Sequence, residues 1–114
     1  MERRRAIRHT VDWYAVYRLN ATSEWRPCRL IDLATTGATI ELLTPLDDDS
    51  LQHEIQIMFE FRGETTEGFD LLGDIRHQTP TTVGRAHLGI EFKNLTPIDV
   101  MILELIERVL DAFT

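Results

Sequence analysis

Cysteine is nearly absent. Cys28 stands alone among 114 residues, which excludes an internal disulfide and any multi-cysteine metal site within one chain. Its expected role is that of a small apolar or partly exposed side chain. No apolar run approaches the ~20 residues that a membrane span needs, and the opening Met-Glu-Arg-Arg-Arg lacks the apolar stretch of a signal peptide. The cytoplasm is therefore the expected compartment. Basic charge is also scarce, with 12 lysines and arginines against 19 acids and a net charge of −7. Four of the arginines fall in the first eight residues, where only Glu2 opposes them; that segment carries +3 and leaves −10 for the rest. Such a body suits nucleic acid poorly, because general affinity for it rests on neutralising many phosphates. Chemistry-bearing groupings are missing too. No Ser/Cys–His pair with context, metal triad or phosphate-cradling glycine loop can be read, and His9, His53, His77 and His87 lack metal-ligand spacing. Neither an enzyme nor a cofactor is expected.

What is present is a soluble globular composition, 43% hydrophobic and 27% charged, in one domain able to bury a modest core. Thr10–Leu19 alternates, with Val11, Trp13, Ala15, Tyr17 and Leu19 on one side, the period of a half-buried strand. Arg26–Leu33 and Ala38–Leu43 read as a hairpin about the turn Thr35-Thr36-Gly37. The clearest strand carries Ile55, Ile57, Phe59 and Phe61 in alternation. Phe69–His77 and Arg85–Phe92 follow, separated by the turn-rich Gln78–Gly84. Six short strands at these intervals predict an all-β fold, a six-stranded antiparallel barrel. The period then changes: Thr96-Pro97-Ile98-Asp99 offers a helix cap, and apolar residues from Ile98 to Phe113 recur at three- and four-residue steps. The expected organisation is a flexible arginine segment over 1–9, a barrel over 10–93 and a helix over 96–113. The acidic loop Asp47-Asp48-Asp49 lacks calcium-loop spacing and reads as solvated.

Two elements point to a ligand. Arg3, Arg4, Arg5 and Arg8 form a cationic tether, and Asp32-Leu33-Ala34-Thr35-Thr36-Gly37 places a carboxylate and a glycine at a strand-end turn. Taking Ile31 and Leu33 as inward, Asp32 and Ala34 share the outward face. Gly37 allows either a turn geometry or a close approach that a Cβ would block. An outward carboxylate can accept from the N–H groups of a guanine edge, and arginines can grip phosphate or reach guanine O6 and N7.

Arg4-x-x-x-Arg8 followed by Asp32-x-Ala34-x-x-Gly37 resembles the two-part signature of PilZ domains, bacterial receptors for the second messenger cyclic di-GMP. Leu88-Gly89-Ile90-Glu91-Phe92 also looks like the sixth-strand pattern of that family, and a C-terminal helix follows as in many of its members. The resemblance implies ligand contacts at Arg4, Arg8, Asp32 and Gly37. It associates the position of Arg3 with the number of ligand molecules bound, and an arginine there favours a mutually intercalated pair. Ala34 stands where serine is usual. Losing one neutral hydrogen bond costs about 1 kcal/mol, which points to a weakened receptor rather than a dead one. The expected function is to bind cyclic di-GMP and relay it to a protein effector as the arginine segment becomes ordered. The alternatives are a protein-interaction adaptor on the same fold that binds no nucleotide, in motility or pilus assembly, and a small RNA-binding barrel, which the acidic body disfavours.

Overall fold

The structure, a computed structural model, describes residues 8–46, 53–59, 70–81 and 84–112. Six strands precede one helix: β1 His9–Arg18, β2 Arg26–Leu33, β3 Gly37–Leu42, β4 Glu54–Phe59, β5 Leu71–Pro80, β6 Ala86–Phe92 and α1 Pro97–Ala112. The strands close a barrel in the order β1-β2-β3-β6-β5-β4, antiparallel at every pairing. The expected six-stranded antiparallel barrel with a C-terminal helix is thus observed.

Alternation explains the interior. Ile55, Ile57 and Phe59 of β4 point inward, as do Leu88 and Ile90 of β6, Ile40 and Leu42 of β3, and Ala15 and Tyr17 of β1. Trp13 fills the upper flank of this core by stacking on Phe59, ring centroids 5.8 Å apart. Cys28 is buried, and burial pushes its thiol up to about 12, so it stays protonated and inert at neutral pH. This matches its expected apolar role.

β2 departs from simple alternation. Its pairing slips between Leu30 and Asp32 on both sides: against β3 the extra residue is Ile31 of β2, whereas against β1 it belongs to β1, between Thr10 and Trp13. One extra residue reverses the facing of everything beyond it. Leu30 is therefore the inward residue before the slip and Leu33 the inward one after it, while Ile31 is only half-buried. The expectation that Ile31 faces the core is corrected by this bulge.

α1 begins with a reciprocal cap. The Asp99 N–H donates to Thr96 Oγ1 at 3.1 Å, and the Thr96 N–H donates to Asp99 Oδ2 at 3.0 Å, satisfying donors that a helix start leaves over. Pro97 takes the first helical position, where its missing N–H costs nothing. Leu103 and Ile106 are buried against the barrel and Leu110 packs beside them. Ile98, Met101 and Leu105, on another face of α1, stay exposed. No helix among the described residues is long and apolar enough to cross a membrane.

Candidate functional site

Arg8 sits one residue ahead of β1, and the β1–β2 pairing sets Thr10 opposite Asp32. That register brings the two motif halves together. Arg8 Nη1 donates to Asp32 Oδ1 at 2.7 Å, with the arginine side chain 53% exposed and the carboxylate 26%. An exposed pair of this kind contributes little to stability, so both groups can change partners at small cost. Arg3 and Arg4, and the ordering expected of residues 1–9 apart from Arg8 and His9, lie outside the described residues, as does the acidic loop Asp47–Asp49.

Gly37 opens β3, pairing with Glu91 of β6. Of the two possibilities left open for it, the structure selects close approach. Its φ is not among the left-handed ones, yet a Cβ here would lie 2.3 Å from the Ile90 carbonyl oxygen. The turn is locked by the Ala34 N–H donating to Gly37 O at 2.8 Å and the Phe92 N–H donating to Thr36 O at 2.9 Å.

Ala34 does not share the outward face of Asp32. It is 4% exposed and packs with His9, Leu33, Leu103, Ile106 and Leu110 beneath α1. The cause is the turn that follows Leu33, where the strand ends and alternation stops. His9 belongs to the same packing. Its Nε2 lies 3.2 Å from Asp111 Oδ1 near the end of α1, close enough for an ion pair of the protonated ring but not aligned for a hydrogen bond.

An open cleft of about 380 Å³ adjoins the motif, lined by Arg8, Thr36, Arg76, His77, Gly89, Ile90 and Glu91. Strand register explains its composition. Thr10, Asp32, Thr39, Gly89 and His77 are successive partners across β1, β2, β3, β6 and β5, one transverse row around the barrel wall. Arg76 and Glu91 form an ion pair at the cleft, with Nε 2.7 Å from Oε1. Sequence reasoning missed Arg76, His77 and Glu91 as site candidates. The turn-rich link between the last two strands signalled that they pair, but their register, and the slip within it, could not be read. A somewhat larger groove of about 450 Å³ runs beside Arg18, Glu24, Arg26 and Pro45, and it contains no part of the motif. Trp25 is occupied by Arg18, which lies 4.3 Å over its ring. Among the described residues no group of histidine, cysteine or carboxylate side chains could hold a metal ion.

The fold and this geometry can be set beside known proteins. No curated protein sequence matches the chain. The PilZ domain of YcgR from Escherichia coli, solved with c-di-GMP, superposes with a TM-score of 0.76 at 20% identity, covering 97% of this chain and 93% of that one. The Bacillus subtilis inhibitor of motility MotI/DgrA gives 0.70 at 14% identity over 97% and 53% of the two chains. The K. pneumonia MrkH–c-di-GMP complex gives 0.70 at 16% over 98% and 55%. The chain thus spans about half the length of these last two proteins. At such identities the likeness carries the fold alone. The family model for the PilZ domain matches residues 2–112, the arginine segment, barrel and helix together, and the chain belongs to that family.

Proposed function

We infer that this chain is a cytoplasmic cyclic di-GMP receptor that passes the signal to a protein partner. The observation that carries the reading is the Arg8–Asp32 pair, whose arginine lines an open cleft together with Thr36 of the motif turn. A guanidinium next to a carboxylate is suited to a guanine nucleotide: the first donates to phosphate or to O6 and N7, the second accepts from base N–H groups. The YcgR domain and MrkH structures contain c-di-GMP, which supports the same ligand class here.

The relay follows from charge. Arg3, Arg4, Arg5 and Arg8 repel one another until an anionic ligand lies among them. Binding then orders the segment and creates a surface that the free protein lacks, the contacts offsetting lost chain entropy. The exposed side chains Ile98, Met101 and Leu105 of α1 offer a partner an apolar surface on the helix. Ala34, held under α1, is not counted among the ligand contacts while the helix stays in place.

Isothermal titration with cyclic di-GMP at fixed salt tests the receptor reading. Heat of binding should be measurable in the micromolar range and vanish in Arg4→Ala and Arg8→Ala, with Arg5→Ala nearly unaffected. No heat at millimolar nucleotide would replace the receptor with a protein-interaction adaptor. Equal small losses at all four arginines, with GTP or single-stranded RNA competing equally well, would indicate a nonspecific cationic tail.

A further inference from the structure

The end of β1 that carries Arg8 is set apart from the rest of the strand. His9 and Thr10 pair with Leu33 and Asp32, but one extra β1 residue interrupts the register before Trp13 meets Leu30. Arg8 lies beyond that break, one residue ahead of the strand. Support for this end comes from α1 instead. The His9 side chain is 8% exposed and is packed between the turn at Leu33, Ala34 and Thr35 and the helix residues Leu103, Ile106 and Glu107. Its Nε2 is buried without a hydrogen bond, and Asp111 Oδ1 in the last turn of α1 lies 3.2 Å away. The geometry points to His9 and Asp111 as positioning residues: they clamp the end of α1 to the start of β1 and so hold Arg8 against Asp32, most firmly when the imidazole is protonated. This rests on the receptor reading and adds to it a control that lies outside the ligand contacts.

Charge and burial give the clamp its sense. A neutral ring leaves Nε2 unsatisfied, a state that burial makes costly; a protonated ring meets a carboxylate instead. The last turn of α1 holds no basic residue, so the negative end of the helix dipole is not countered from within the helix. Protonated His9 supplies that cation from the barrel side. The groups around the ring favour the same state. From α1 come two carboxylates, Glu107 and Asp111, while the turn after β2 contributes only uncharged Leu33, Ala34 and Thr35. The opposing charge is Arg8, next to His9 in the chain, and its guanidinium is drawn off to Asp32 at 2.7 Å. Packing alone would be met by an apolar side chain at residue 9, whereas imidazole makes the seating depend on a proton. Arg8 grips ligand only in the fraction of molecules whose β1 start is seated, so loosening the clamp lowers the apparent affinity by that fraction.

The test is titration of the full chain with cyclic di-GMP at fixed salt, at about pH 6 and about pH 8, on either side of the range in which histidine takes up a proton. Asp111→Asn, His9→Gln and the double variant are titrated alongside, after thermal melts show that they fold. The natural chain should gain at least about threefold in affinity at the lower pH, beyond any gain that Asp111→Asn retains. That comparison cancels His77, which lines the cleft in every variant. At the lower pH each single variant should weaken binding by about threefold, and the double variant by no more than either. Additive losses, or the same pH dependence with and without Asp111, overturn the clamp. So do variants that melt earlier yet bind as tightly as the natural chain, since the contact is then purely structural. A natural chain that binds no cyclic di-GMP overturns the receptor reading and the positioning role with it. Hydrogen exchange needs no substitution: in the natural chain, protection of amides 109–112, corrected for intrinsic rates, should rise as pH falls from about 8 to about 6. Flat protection overturns the clamp whether or not the variants fold.

Discussion

Beneath α1 the turn after β2 is closely packed, with only about 10 Å³ left among His9, Leu33, Ala34, Leu103, Ile106 and Leu110. Across β3, β6 and β5 the same turn opens onto about 380 Å³ bounded by Arg8, Arg76, His77 and Glu91. Six consecutive residues therefore serve two environments. Thr36 lines the open side and Asp32 faces outward to Arg8, whereas Leu33, Ala34 and Thr35 line the closed one. Substitutions in this stretch are consequently of two kinds, and a change at Ala34 is a packing change before it is a ligand-contact change.

Thermal or urea unfolding can break or sharpen that division. The largest loss is expected on the closed side, from Leu103→Ala. Leu103 is 2% exposed between helix and barrel, and truncating such a leucine costs about 3 kcal/mol in transfer and cavity terms. A loss below about 1 kcal/mol would mean that α1 is not firmly seated. Gly37→Ala comes next, at about 2 to 3 kcal/mol, because its Cβ would strike backbone, the Ile90 carbonyl, rather than a movable side chain. Unchanged stability there would show that β3 and β6 can part without penalty. Ala34→Ser should cost about 1 kcal/mol by placing a hydroxyl in a nearly filled apolar space. If it instead tightens cyclic di-GMP binding without lowering stability, α1 must leave the turn when ligand arrives. The smallest effect is expected at Gly89→Ala, within about 0.5 kcal/mol. The three atoms nearest its Cβ all belong to the exposed His77 ring, which can swing aside. Together the two glycine variants apply one methyl group to adjacent strands. Equal costs would erase the distinction between a wall of backbone and a wall of side chains.

The barrel and helix could be read from residue patterns because their signals repeat. Ile55, Ile57 and Phe59 alternate without interruption, and the Thr96–Asp99 cap marks where the period changes. The Arg8–Asp32 contact was legible only through the family signature, since residues 24 apart in sequence carry no local sign of meeting. Bulges set the limit. In Leu30-Ile31-Asp32-Leu33 either apolar phase is compatible with the residues, and the slip that selects Leu30 is a tertiary outcome. The misassigned facing of Ala34 has a different origin: β2 ends at Leu33, and alternation does not continue into the turn. The slip in β5–β6 pairing likewise kept Arg76 and His77 from being assigned a common face.

Closure of the barrel limits how the protein can recruit another. Each of the six strands pairs with a neighbour on both sides, so among the described residues no strand presents a whole free edge to which a partner could add a strand. A protein partner of the kind proposed would therefore read mainly side chains, on the helix or the loops. Specificity towards that protein would then reside in surface residues that can diverge without disturbing the wall, leaving one rigid scaffold free to acquire new partners.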